Sequence, residues 1–221
     1  MPKWVKFCIA VLLLPVCVGT ARALWKVMSQ TGGADHIWLP MLAGAASWVV
    51  VFLLLPKPMW VYVFGHELTH AVWTWIFGGS ITKFKAGSDG GHVVATKSNF
   101  LIVLAPYFFP LYAVGLGLIF LICELLGVWH TSWLPWFHLL LGAAYAFHLT
   151  LTWHILKTRQ TDITSQGYLF SAVVIFLGNA LVLLLAIPLL MPHGAGHGLV
   201  EALVTWLRSN RDVLRRIVQW L

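Results

Sequence analysis

Charged side chains are scarce in this sequence. Asp, Glu, Lys and Arg make up 10% of its 221 residues, against about 25% in soluble globular proteins. So few charges cannot cover a globular surface with solvated side chains, which excludes an ordinary soluble protein. Hydrophobic residues make up 60% of the chain and come in long runs. This composition predicts an integral, multi-pass membrane protein, with the lipid bilayer as its main partner.

Cysteine pairs and long polar segments are also lacking. The three cysteines, Cys8, Cys17 and Cys123, lie far apart, so we expect neither a disulfide nor a cysteine metal site. No polar stretch is long enough to fold as a PDZ-like or other soluble module. The net charge is +7, but most of the basic residues are scattered singly. This distribution favours contact with anionic lipid headgroups over binding to nucleic acid.

The apolar runs predict an all-α polytopic fold with about six transmembrane helices. The first run could instead be a signal peptide, because Ala21-Arg22-Ala23 resembles a cleavage site. It is long for a signal core, however, so we expect an uncleaved span. The six runs cover residues 4–24, 37–55, 59–77, 100–126, 134–156 and 168–190.

Two segments differ from the apolar runs. Residues 80–99 are polar, rich in β-branched residues and broken at Asp89-Gly90-Gly91, which predicts a short β-hairpin. Residues 199–221 predict an amphipathic helix that lies on the membrane surface or, alternatively, packs against the spans. We therefore divide the chain into a transmembrane domain, 1–198, and a C-terminal helix, 199–221. The apolar stripe of that helix comprises Leu203, Leu207, Leu214, Ile217, Val218 and Leu221.

The third apolar run contains the motif HExxH as His66-Glu67-Leu68-Thr69-His70. On a helix, His66 and His70 lie on one face, one turn apart, where two imidazoles can bind one Zn²⁺. Glu67 between them is placed to take a proton from a water molecule that the metal activates. With ten histidines and three glutamates in the chain, chance predicts only about 0.006 such motifs. Of the seven acidic residues, Glu67 is the one nearest the middle of an apolar run, and an ionisable group there also indicates a functional site.

A catalytic zinc usually has three protein ligands, and Asp162 is our preferred third ligand. It lies between the fifth and sixth runs, close to Arg159 and so near the expected interface, whereas His66 lies about 13 Å into the membrane. The two meet only if the fifth span extends or tilts, or if a water-filled cavity reaches inward. Asp162 can instead cap the last helix. His148 and His154 in the fifth run are the alternative ligands.

The stretch from about Tyr62 to Pro110 resembles minimal bacterial members of the site-2 protease family of intramembrane zinc metallopeptidases. The features that carry this resemblance are the HExxH motif in an apolar run, the Gly78-Gly79 pair that ends the run, the polar hairpin with its own Gly-Gly, and Ala105-Pro106-Tyr107. Family members usually carry an Asn-Pro…Asp-Gly motif in a later span. This chain lacks it, so Asp162 is assigned from its place in the chain.

The resemblance implies zinc held by His66, His70 and a later aspartate, with Glu67 as general base. It also implies cleavage of transmembrane protein substrates, and a place in a bacterial cytoplasmic membrane. Because a substrate must be extended to be cut, we expect the hairpin to pair with it as an added β-strand.

Two other functional classes stay open from the sequence. One is a metal-binding membrane protein without hydrolysis, such as a transporter, and the other is a catalytically inactive membrane scaffold. A Glu67→Gln variant discriminates hydrolysis from transport, because transport can survive this change but hydrolysis cannot. The substrate, the side on which the site opens and the oligomeric state are left undetermined.

Overall fold

The computed structural model describes residues 1–31, 33–88, 90–191 and 195–220, and the side chains of 195–197 are not described. Asp89 of the predicted turn and Leu221 of the predicted apolar stripe therefore lie outside the described residues. The described part of the chain is mostly helical, with one two-stranded sheet. The helices are α1 Lys3–Gln30, α2 Asp35–Leu54, α3 Met59–Ile76, α4 Phe100–Phe108, α5 Leu111–Leu125, α6 Leu134–Leu156, α7 Thr161–Gln166, α8 Tyr168–Leu190 and α9 Ala195–Trp220, and the strands are β1 Ile81–Gly87 and β2 Gly90–Ala95.

The predicted membrane architecture is confirmed in its coarse form. Within the described residues, four helices are long and apolar enough to cross a membrane, or five if α4 and α5 count as one span. The four are α1, α2, α6 and α8, where α6 is extended by a short 3-10 turn at Thr131–Trp133. The predicted count of six is not confirmed, and α3 is not among the helices that meet this measure. Its HExxH motif replaces apolar residues in the middle of an 18-residue helix.

The predicted fourth span is broken into α4 and α5, which are bent by 80°. Phe109 between them is extended, with φ −101° and ψ 106°. The next residue is Pro110, which disfavours a helical conformation in the residue before it and has no N–H for a helical hydrogen bond. The prediction of a single helical span over 100–126 is therefore wrong at this point, where the helix is interrupted.

The chain divides into two compact units, and the larger contiguous one spans Asp35–Gln160. Its main helix pair, α2 and α6, crosses at two glycines. A Cβ atom at Gly44 would lie 1.9 Å from the carbonyl oxygen of Leu139, and one at Gly142 would lie 2.0 Å from that of Met41. Small residues of this kind let helix backbones approach closely, which is how apolar helices gain packing energy in lipid.

The other unit consists of Met1–Ala34 and Thr161–Leu221. Within it α1 packs against α8 and α9. Lys6 Nζ donates to Gln166 Oε1 at 2.6 Å, and Trp206 Nε1 donates to Thr20 Oγ1 at 2.9 Å. These two contacts tie α1 to α7 and to α9.

The predicted C-terminal helix is present as α9, which begins at Ala195, four residues before the predicted start. Its packed side chains are Ala202, Ser209 and Val213, whereas most of the predicted apolar stripe is exposed. α9 therefore packs against the apolar helices α1 and α8, which was the alternative to a helix lying free on the membrane. A place for the exposed stripe at the membrane surface stays a prediction. Its exposed members include Leu203, Leu207, Leu214 and Val218.

The predicted hairpin is confirmed. β1 and β2 pair antiparallel from Gly87 and Gly90 to Ile81 and Ala95, with an irregularity between Ile81 and Lys83. Both strands contact α3. The hairpin therefore lies beside the helix that carries the HExxH motif, and a two-stranded sheet of this kind presents unpaired strand edges.

Candidate metal centre

α3 places His66 and His70 on one face, as the four-residue spacing predicts. The centroids of the two imidazole rings are 4.9 Å apart, with the ring planes at 77°. Tyr107 packs edge-on against the ring of His66 at a centroid distance of 5.3 Å. The two imidazoles are thus held close together by the helix and by an aromatic neighbour from α4.

The orientation of His70 is fixed by the backbone of α4. Its Nδ1 lies 2.8 Å from the carbonyl oxygen of Ile102, which can only accept a hydrogen bond, so Nδ1 carries the proton. The remaining ring nitrogen, Nε2, then offers its lone pair. This is the arrangement that metal-binding histidines commonly use to fix their tautomer and ring direction.

Glu67 is buried, with only 7% of its surface exposed. The hairpin lies directly against it, since a Cβ atom at Gly91 would be 2.6 Å from Cγ of Glu67 and 2.9 Å from Cγ1 of Val63. Only a residue without a side chain fits between the strand and the helix here. β2 and the carboxylate-bearing part of Glu67 are therefore in close contact.

Asp162 lies in the first turn of the short helix α7. One ligand atom each from His66, His70 and Asp162 lie within 4.8 Å of one another, and all three side chains are partly buried. Two imidazole nitrogens and one carboxylate oxygen are suitable ligand atoms for Zn²⁺, and any two ligand atoms of a tetrahedral zinc are about 3.4 Å apart, within this distance. The three predicted ligands therefore form a group that can hold a metal ion, and their donor chemistry fits zinc.

The alternative ligands are not members of this group in the described residues. Within the part of the chain that the structure describes, neither His148 nor His154 belongs to a three-residue metal-binding group. The ring of His154 packs edge-on against Phe52 at 6.2 Å. His148 is buried, with 7% exposed, and it lines a small cavity together with His66. The proposal that either histidine replaces Asp162 as the third ligand loses support, although His148 stays close to the site.

The cavity beside His66 has room for about one water molecule. His66 and Thr69 line it from α3, Tyr112 from α5 and His148 from α6. Tyr112 packs so closely on Gly65 that a Cβ atom there would lie 2.7 Å from its Cε2. Its hydroxyl donates to the carbonyl oxygen of Val61 at 2.6 Å. The residue before the first histidine is therefore a glycine because an aromatic side chain occupies that side of α3.

Sequence reasoning missed three parts of this site. The carbonyl oxygen of Ile102 leaves no trace in the residue types, because any residue supplies a backbone carbonyl. Tyr112 looks like an ordinary aromatic residue of an apolar run, and Tyr107 was noted only within Ala105-Pro106-Tyr107, not as a neighbour of His66. Gly91 was a visible signal, since a second Gly-Gly pair soon after HExxH predicts a close approach of two backbones.

Comparisons of this chain with models of protein families, with curated proteins and with solved structures find no match. The resemblance to site-2 proteases thus stays a prediction from the motif and its surroundings.

Proposed function

We propose that this chain is an intramembrane zinc metalloprotease that hydrolyses peptide bonds of membrane-embedded protein substrates. The observation that carries the proposal is the group formed by His66, His70 and Asp162, with ligand atoms within 4.8 Å of one another, next to the buried carboxylate of Glu67. Two histidines and a carboxylate on one metal, with a further glutamate that is not a ligand, are typical of zinc peptidases.

His66, His70 and Asp162 would hold the metal. When bound, zinc supplies Lewis acidity, which polarises a carbonyl group and lowers the pKa of water. The chain's own contribution is to orient the imidazole of His70. Its Nδ1 donates a hydrogen bond to the Ile102 carbonyl oxygen, so Nε2 is the nitrogen that would bind the metal.

Glu67 acts as general base and then as general acid. Its carboxylate accepts a proton as the water oxygen forms a bond to the carbonyl carbon of the substrate. It then returns this proton to the amide nitrogen as the C–N bond breaks, which gives a carboxylic acid and an amine. The burial of Glu67 against Gly91 keeps the carboxylate in one position for both transfers.

The hairpin binds the substrate in extended form. A helical segment hides its carbonyl groups in hydrogen bonds, so the substrate must unwind before it is cut. An open strand edge can pair with an unwound segment by β-augmentation. β2 lies against Glu67 through Gly91, so a strand paired with the hairpin would run next to the general base.

The test is substrate cleavage by a Glu67→Gln variant. Wild type and variant are produced in cells, and new N-termini within membrane proteins are quantified by mass spectrometry. We expect wild type to generate new termini inside apolar segments and Glu67→Gln to lower them by about 100-fold or more, at unchanged zinc content. Glu124, which is exposed at the end of α5, provides the matched control as Glu124→Gln.

Cleavage that survives in Glu67→Gln would contradict the proposal. If instead wild type binds zinc but generates no new termini, the transporter or the scaffold becomes the leading explanation.

A further inference from the structure

His66 has different surroundings on its two sides along α3. Glu67 and the hairpin lie on one side, as the contact at Gly91 requires. The cavity lies on the other side, where Gly65 and Thr69 line it. Glu67 follows Gly65 by two residues, so their side-chain directions on a helix differ by about 200°. The general base and the cavity thus flank His66 from opposite directions.

The cavity wall opposite α3 carries an imidazole. His148 of α6 lines the cavity with His66 and is 7% exposed. The rest of that wall is mostly aromatic, with Phe109, Tyr112 and Phe147. A polar side chain in such a water-poor, largely apolar wall interacts strongly with any charge that develops beside it.

We propose that His148 is a catalytic residue that donates a hydrogen bond to the carbonyl oxygen of the scissile peptide bond. The inference rests on the proposed function and deepens it. As water adds to the carbonyl carbon, the C=O π electrons move to the oxygen, which becomes negative. The imidazole N–H donates to this oxygen, and neutral imidazole has one N–H in either tautomer. His148 would thus stabilise the negative charge from the cavity side of His66, while Glu67 accepts and returns the proton on the opposite side.

This placement explains why a third histidine, His148, lies next to the two of the motif without belonging to the metal-binding group. A ligand would have to bring a nitrogen into the group formed by His66, His70 and Asp162, and His148 is not a member of it in the described structure. A hydrogen-bond donor to the substrate needs only to face the same cavity as His66, which His148 does.

The test measures binding of acetohydroxamate, a small chelating probe that places a carbonyl oxygen at the metal. Purified protein is loaded with Co²⁺ in place of zinc, and binding is followed by the visible spectrum of the cobalt. We expect His148→Ala to keep the cobalt content of wild type but to weaken acetohydroxamate binding by about tenfold or more, as loss of a hydrogen bond to a charged acceptor predicts. We expect His148→Gln, which keeps an N–H donor, to recover most of this loss.

His154→Ala is the matched control, because His154 lies on the same helix and packs on Phe52. It should bind cobalt and acetohydroxamate like wild type. Unchanged acetohydroxamate affinity in both His148 variants would overturn the donor role, and so would loss of cobalt from His148→Gln, which would make His148 a ligand. If wild type itself takes up no cobalt, the proposed function fails, and this inference fails with it.

Discussion

At the scale of single residues, the candidate site depends on contacts that no side-chain motif specifies. His70 is oriented by a backbone carbonyl, that of Ile102. Glu67 is positioned by the absence of a side chain at Gly91. The HExxH spacing places the two histidines on one helix face, but the rigidity of the group comes from these neighbours. Active sites commonly need such support, because small displacements of a catalytic group cost much of the rate.

Gly91→Ala tests this support at one residue. The new methyl group would meet Cγ of Glu67 at 2.6 Å and the Lys85 carbonyl oxygen at 2.7 Å, so the hairpin or the carboxylate must shift. We expect substrate cleavage to fall by about tenfold or more, while zinc content is unchanged because the three atoms nearest to the new methyl group belong to Glu67, Lys85 and Val63, none of which is a proposed ligand.

Gly87→Ala is the control for this substitution. Gly87 lies in the same hairpin, and a Cβ atom there would have an ordinary contact of 3.6 Å with the Gly90 carbonyl oxygen. We expect Gly87→Ala to cleave at the wild-type level. If Gly91→Ala also cleaves at the wild-type level, the close contact with Glu67 has no role in catalysis.

At the scale of secondary-structure elements, the sequence predicts most of the fold. Apolar runs of about 20 residues identify α1, α2, α6 and α8, because a helix must be that long to cross a bilayer. The hairpin is predicted from β-branched residues around a glycine-rich turn. The break between α4 and α5 could in principle be predicted, since Pro110 marks it. It was missed because the apolar run continues on both sides of Phe109 and Pro110.

The hairpin also carries a prediction at this scale. If it binds substrate by strand pairing, Val93→Pro and Val94→Pro should impair cleavage, because proline removes a backbone N–H and disrupts pairing in a strand. In β2 these residues pair with Phe84 and Lys83. Zinc content should not change, because the ligands come from α3 and α7.

Val93→Thr and Val94→Thr are the controls, since threonine keeps the β-branched shape and the N–H. The measurement compares new N-termini in membrane proteins for all four variants. Cleavage at the wild-type level in both proline variants would refute strand pairing with the substrate.

At the scale of the whole molecule, composition predicts the class of protein and little else. A chain with 10% charged residues is expected to be a membrane protein, but composition does not determine how its helices associate. The glycine crossing of α2 and α6 at Gly44 and Gly142 has no signal in hydropathy. Gly115 and Gly117 also lie in an apolar run, but a Cβ atom at either of them would have no neighbour within 4 Å. Likewise, the buried side chains of α9, which are Ala202, Ser209 and Val213, are less conspicuous in the sequence than the leucine-rich stripe of the same helix.

The candidate third ligand also belongs to this scale, because it lies far from the histidines along the chain. Asp162 is separated from His70 by more than 90 residues, and no local motif accompanies it. Sequence position alone left three alternatives: Asp162, His148 and His154. Of these, Asp162 is the one that belongs with His66 and His70 to the group that could hold a metal ion in the described residues.

The measurement that tests the central claim most directly is the zinc content per polypeptide of detergent-purified wild type, His66→Ala and Asp162→Ala. We expect about one zinc in wild type, as a three-ligand catalytic site predicts, and loss of zinc in both variants. Zinc that is lost from His66→Ala but retained by Asp162→Ala would contradict the ligand assignment. Wild type without zinc would contradict the proposal that this chain is a metalloprotease.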